Sequence, residues 1–232
     1  MIDPTKNTSW YRALQITIKI LSNENIEFFI DSGTLLGFIR NGDFIKWDHD
    51  VDIGVIETND NRKRLCNQLV SNGIGYYETK NSIGFSISKV PIGVTFYQES
   101  QNTYQAHYWS FNPTNFVEKI LRSPLLLRGN LITNKAGLKF PKNLFHIATK
   151  NIGNLLPENF VKTKLATTIE QKTSVIPKSH FERVIYRNFS GNILPLPHKP
   201  DSYLEFRYGN TWRIENKEYN YISDDQSFKV NK

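Results

Sequence analysis

The sequence predicts a single α+β domain, and three observations carry this. Apolar residues recur at helical spacing over 8–23 and 59–72. A β-branched, alternating run fills 51–56, with further strand signals at 83–89 and 92–97. The chain has 232 residues and no low-complexity linker or internal repeat, which suffices for one core.

The elements follow in order. Thr8 or Ser9 can cap a helix whose Tyr11, Leu14, Ile18 and Leu21 share a face, although Ile16, Ile18 and Ile20 also alternate like a strand. Residues 26–30 are a short apolar strand, and 32–39 turn into a short helix. The triplet Asn41-Gly42-Asp43 ends that helix in a turn. Strand 51–56 precedes helix 59–72, with Gly73 just past its end. Strands 83–89 and 92–97 join near Pro91, and 104–109 is another strand. Residues 113–150 give weaker signals and read as an insertion. Residues 157–171 read as a helix opened by Pro157, and 184–199 as a hairpin around Ser190-Gly191-Asn192. Asp201 or Ser202 caps a helix over 201–208 that Gly209 ends. The polar tail after Tyr219 is expected to fray.

Composition narrows the function. The content is 39% hydrophobic and 22% charged, as in ordinary globular proteins. One cysteine, Cys66, excludes an intrachain disulfide and a cysteine zinc cluster and points to a reducing compartment. No apolar run reaches a membrane span, and the N-terminal residues lack the order of a signal peptide. The net charge of +7 suits anionic substrates or an anionic surface. Its Lys and Arg residues are scattered, which argues against a nucleic-acid partner. The five histidines are dispersed, without metal-ligand spacing.

One stretch carries chemistry. In FIKWDHDVDIGV, Asp48, Asp50 and Asp52 fall at every second position. On a strand such residues share a face while Val51 and Ile53 point into the core. Adjacent carboxylates repel and raise one another's pKa. A divalent cation relieves this, and carboxylates with a substrate phosphate are the usual ligands of Mg2+. Upstream, Ser32-Gly33-Thr34 offers backbone N–H groups and hydroxyls to phosphate, and Arg40 offers a guanidinium. The set reads as metal-assisted phosphoryl transfer.

The segment GTLLGFIRNGDFIKWDHDVDIGV resembles the signature of the LicD/fukutin family, within the nucleotidyltransferase superfamily. A second block, ILPLPHKPDSYLEFRYGNTW, resembles the C-terminal block of the same family, and VIPKSH before it is also similar. The resemblance implies a polymerase-β-like core, a mixed sheet flanked by helices, over about residues 8–110. A C-terminal α/β block over about 175–213 completes one domain spanning 1–232. It implies transfer of a phospho-alcohol, such as phosphocholine or ribitol phosphate, from a CDP-linked donor to a hydroxyl of a cell-surface glycan, with release of CMP. Asp50 and Asp52 become ligands of Mg2+ or Mn2+, and Asp48 a third ligand or the base. Ser32, Gly33 and Thr34 bind donor phosphate, and Arg40 clamps phosphate or partners the acids. Trp47 packs under the strand. The expected setting is cytoplasmic, in capsule or lipopolysaccharide synthesis, with the basic surface suited to peripheral contact with an anionic membrane.

Two positions depart from the family pattern. Lys46 replaces the proline that usually precedes Trp-Asp, and Thr95 stands where many members carry another aspartate; Glu99 is a substitute for it. The acids serve equally a nucleotidyl transfer that releases pyrophosphate. A non-catalytic nucleotide- or glycan-binding protein on the same fold is the third reading.

Overall fold

The computed structural model describes residues 8–79, 81–111, 132–133, 169–189 and 191–230. It is a mixed α+β structure. Helix α1 runs Thr8–Asn23, followed by strand β1 at Phe28–Ile30, α2 at Ser32–Asn41, β2 at Val51–Ile56 and α3 at Asn61–Ser71. Strands β3 (Tyr76–Glu78), β4 (Ser82–Ile87), β5 (Val90–Ser100), β6 (Thr103–Phe111) and β7 (Ile132–Thr133) come next. Strand β8 (Ile169–Pro177) leads to the hairpin β9 (Val184–Phe189) and β10 (Asn192–Pro197). Helices α4 (Pro200–Tyr208) and α5 (Tyr221–Asp224) and strand β11 (Phe228–Val230) complete the order.

Nine strands form one sheet in the order β11-β8-β6-β5-β4-β3-β7, with β2 pairing both β5 and β1. Among the described strands only β2 and β5 run parallel, in the register Asp52↔Gly93 and Gly54↔Thr95. Strand β2 lies centrally because Val51, Ile53 and Val55 are fully buried. Each such side chain contributes about 1.5–3 kcal/mol through removal from water. Helix α1 packs on α3, β4 and β5, and α2 packs on β2 and α4. The α1 face named in the sequence, with Tyr11, Leu14 and Leu21, is buried, so its helical period decides over the isoleucine alternation.

Four expectations need correction. Pro91 lies inside β5, and the turn is Ser88-Lys89, with φ of 52° and 67°. Two positive φ values give the twist that tight hairpins require. Pro91 opposes Ser86, one pair away from the turn, where an antiparallel ladder leaves positions without hydrogen bonds. Residues 169–171, expected at the end of a helix, belong to β8 and pair with β6. The rest of that expected helix and most of 113–150 lie outside the described residues. Helix α4 starts one residue earlier than expected, with Pro200 at its first position and Lys199 as cap residue. Proline's fixed φ suits that position. The tail is ordered through Val230, because β11 adds to β8 and Asp225 is buried. Among the described residues no helix is long and apolar enough to cross a membrane.

Candidate functional site

Strand β1 delivers the chain to Asp31, which caps α2. The Asp31 backbone N–H donates to the Asp52 carbonyl at 3.1 Å, fastening the α2 entrance to β2. The Asp31 carboxylate accepts the Ser32 N–H at 2.7 Å. Ser32 sits at a φ of 46°, a left-handed conformation costing of order 1–3 kcal/mol outside glycine. Gly33 then donates its N–H to Asp52 Oδ2 at 3.1 Å. Helix α2 ends at Gly42, whose φ of 71° suits the residue without a side chain. The loop from Gly42 returns over the start of α2 and places Asp48 above Gly33. A Cβ at Gly33 would overlap Asp48 Oδ2 and lie 3.5 Å from Asp52 Oδ2, so only glycine leaves room for both carboxylates.

Carboxylate oxygens of Asp48, Asp50 and Asp52 all lie within 4.8 Å of one another. Burial is the main cause that pushes each carboxyl above its ordinary range, most strongly at Asp52, where Asp50, Asp48 and Asp31 add their repulsion. Arg207 counters this at Asp52 but is already shared with other acids. Clustered oxygens short of positive charge are the donor set a hard divalent cation takes, so the residues fit such an ion. They line a cleft of about 700 Å³.

The other expected residues fall as follows. Ser32, Gly33 and Arg40 line the cleft. Thr34 does not: it is 1% exposed, and its hydroxyl accepts the Asp52 N–H at 2.9 Å, clasping α2 to β2. Trp47, expected to pack under the strand, lines the cleft instead, with Lys217 over its ring. Thr95 also lines the cleft and bonds to Tyr108, while Asp48 supplies the third carboxylate. Glu99 is remote from the triad in its contacts, pairing with Lys178.

The sequence missed a buried ionic network beneath the triad. Arg207 on α4 donates through Nε to Asp225 Oδ2 at 2.8 Å, and through Nη1 to Ser32 Oγ at 2.8 Å and Asp31 Oδ1 at 3.2 Å. Asp31 also accepts the hydroxyls of Tyr203 at 2.7 Å and Tyr97 at 2.6 Å. The side chains of Arg207, Asp31 and Asp225 are 6%, 2% and 1% exposed. Asp31 beside Ser32-Gly33-Thr34 is a legible cap signal, and Arg207 lies within the second motif block. Nothing in the polar tail singled out Asp225.

Comparison with known proteins bears on this geometry. Residues 25–152, more than half of the chain, match the family described as LicD/FKTN/FKRP, nucleotidyltransferase domain. The chain belongs to this family. The matched stretch holds the three clustered aspartates, the α2 entrance and Arg40. Human ribitol 5-phosphate transferase FKRP is 34% identical over 114 residues, covering 46% of this chain and 22% of that protein. An uncharacterized protein of Rickettsia typhi is 40% identical over 55 residues, covering 24% of this chain and 18% of that protein. The matches thus span about a fifth of the length of these relatives. A crystal structure of ANT(2")-Ia in complex with adenylyl-2"-tobramycin aligns with 68% of this chain and 97% of its own at a TM-score of 0.33 and 12% identity. That likeness is too low to carry an argument.

Proposed function

We propose that this LicD-family chain transfers a phospho-alcohol, ribitol phosphate being the first candidate, from a CDP-linked donor to a glycan hydroxyl, with release of CMP. The observation that carries the reading is the set of three carboxylates gathered over Gly33 in one cleft. The name of the FKRP relatives supports the choice of alcohol. The proposal includes a polymerase-β-like core within one domain spanning 1–232, and a cytoplasmic setting beside an anionic membrane. Flotation with anionic liposomes at low salt tests the membrane contact.

Asp50 and Asp52 would hold Mg2+ or Mn2+, with Asp48 as third oxygen. Bound there, such an ion supplies positive charge to the donor phosphates as negative charge develops on them. The chain's own residues do the rest. The Ser32 hydroxyl accepts from Arg207 and so is turned to donate toward a phosphate oxygen. Arg40 adds a guanidinium on the same wall. The acceptor hydroxyl attacks the phosphorus that bears the alcohol, and the bond to the CMP oxygen breaks. Asp48, made more basic by burial, is the nearest candidate for the hydroxyl proton if it is not a ligand. Asp48→Asn separates these roles: loss of metal affinity marks a ligand, and loss of turnover at unchanged metal affinity marks the base.

Product analysis tests the reading. With Mg2+ and a glycan acceptor, CMP should appear from one of CDP-ribitol, CDP-choline, CDP-glycerol or CDP-ethanolamine. Pyrophosphate from CTP without CMP from any of these would favour nucleotidyl transfer. Binding without turnover of any donor would favour a non-catalytic binding protein.

A further inference from the structure

The cleft brings acidic and basic side chains together. Its wall holds the three carboxylates. It is also lined by Arg40 near the end of α2, Trp47 in the loop before β2 and Lys217 in the loop after α4. Lys217 Nζ stands 5.0 Å from the centroid of the Trp47 ring. The loop that carries it is tied to α2 by Asn41 Nδ2 donating to Glu215 Oε1 at 3.3 Å. Arg40 uses only Nε, on Asn41 Oδ1 at 2.8 Å. Among the described residues, no carboxylate forms an ion pair with Arg40 or Lys217. The third cation of the cleft, Arg207, is engaged by Asp31, Asp225 and Ser32.

Charge balance gives these two free cations a task. Three ionised carboxylates outweigh one divalent cation, so the loaded site is still negative. A diphosphate diester, with a charge on each phosphate, must enter it against that charge. Cations in the same cleft offset that repulsion. Arg40 lies seven residues beyond Gly33, about 10 Å along a helix, and helical side chains lean back toward the N-terminus. Arg40 and Lys217 line the same cleft as the triad, and the Asn41–Glu215 bond holds their two segments together.

We infer that Lys217 is a donor-binding residue whose ammonium, held in the cleft by the Trp47 face, neutralises with Arg40 the diphosphate of a nucleoside-diphosphate donor. The inference rests on the transfer reading above and names a residue outside both sequence motifs. Lys217→Met keeps an unbranched apolar side chain beside Trp47 and removes the charge. Calorimetric titration should show Mn2+ alone binding this variant as it binds the wild type. CDP with Mg2+ should bind about tenfold more weakly, equivalent to about 1.4 kcal/mol. Its affinity should also depend less on salt, and Lys217→Arg should restore it. Unchanged CDP affinity in Lys217→Met overturns the inference and leaves the transfer reading standing. Equal weakening of Mn2+ alone overturns it in favour of a structural role. If the wild type binds Mn2+ but not CDP with Mg2+, the transfer reading fails and the inference with it.

Discussion

Replacing Arg207 with methionine probes the ground on which the triad stands. The guanidinium joins Asp225 near the C terminus to Asp31 and Ser32 at the entrance of α2, and all three charged side chains are at most 6% exposed. Methionine fills much of the volume but leaves two buried carboxylates without their cation. Breaking a buried ion pair from one side costs about 3–5 kcal/mol. That is a large share of a total stability of about 5–15 kcal/mol. For a chain of this size, about 2–4 °C of melting temperature accompanies each kcal/mol, which gives a drop of roughly 6–20 °C. Asp31 keeps its tyrosine hydroxyls, so adding Asp225→Asn to Arg207→Met should recover part of the loss. Differential scanning calorimetry of the single and double variants measures both effects. A fall of less than about 3 °C in the single variant would refute the claim that this network organises the site.

Three further outcomes follow from the site geometry. Asp52 holds its carboxyl well above the ordinary range, by burial first and then by the charges of Asp50 and Asp48. A group raised in the folded state stabilises at low pH and loses that contribution as pH rises through its folded value. With a chelator present, Asp52→Asn should therefore melt higher than the wild type at neutral pH and gain less on mild acidification; a larger acid gain in the variant contradicts the assignment. Gly33→Ala pushes Asp48 aside, and because Asp48 is only half-buried the fold should survive at a cost of about 1–3 kcal/mol. Its Mn2+ affinity should fall by about 10–100-fold, and wild-type affinity would show that Asp48 is not a ligand. Tyr97→Phe removes the donor to Asp31 Oδ2 and should cost about 1–3 kcal/mol by urea unfolding. No loss there would mean that Asp31 does not need that hydroxyl.

Local pattern made much of this molecule legible. Val51–Ile56 reads as a strand because Val51, Ile53 and Val55 alternate with Asp52 and Gly54, and the structure pairs these same residues with β5. Gly73 marks the end of α3 at a φ of 66°. Contacts between distant segments were not legible. Strand β11 exists through pairing with β8, and β8 through pairing with β6 as well, and neither shows a strong pattern of its own. At the site, the spacing of Asp48, Asp50 and Asp52 was visible, but β2 begins at Val51, so only Asp52 stands on the strand and the loop before it brings Asp48 and Asp50 to the cluster. Thr34 looked like a phosphate ligand because sequence shows a hydroxyl but not its partner, here the Asp52 N–H. Arg207 and Asp225 were hidden because an ionic pair 18 residues apart has no sequence period.

The central claim is that a divalent cation on Asp48, Asp50 and Asp52 creates the binding site for a CDP-alcohol. Calorimetric titration of CDP-ribitol into the wild type and Asp50→Asn, each with Mg2+ and with chelator, tests it most directly. Binding to the wild type with Mg2+, and its loss both with chelator and in Asp50→Asn, is the result predicted. Binding of equal strength without the cation, or in the variant, would contradict the claim.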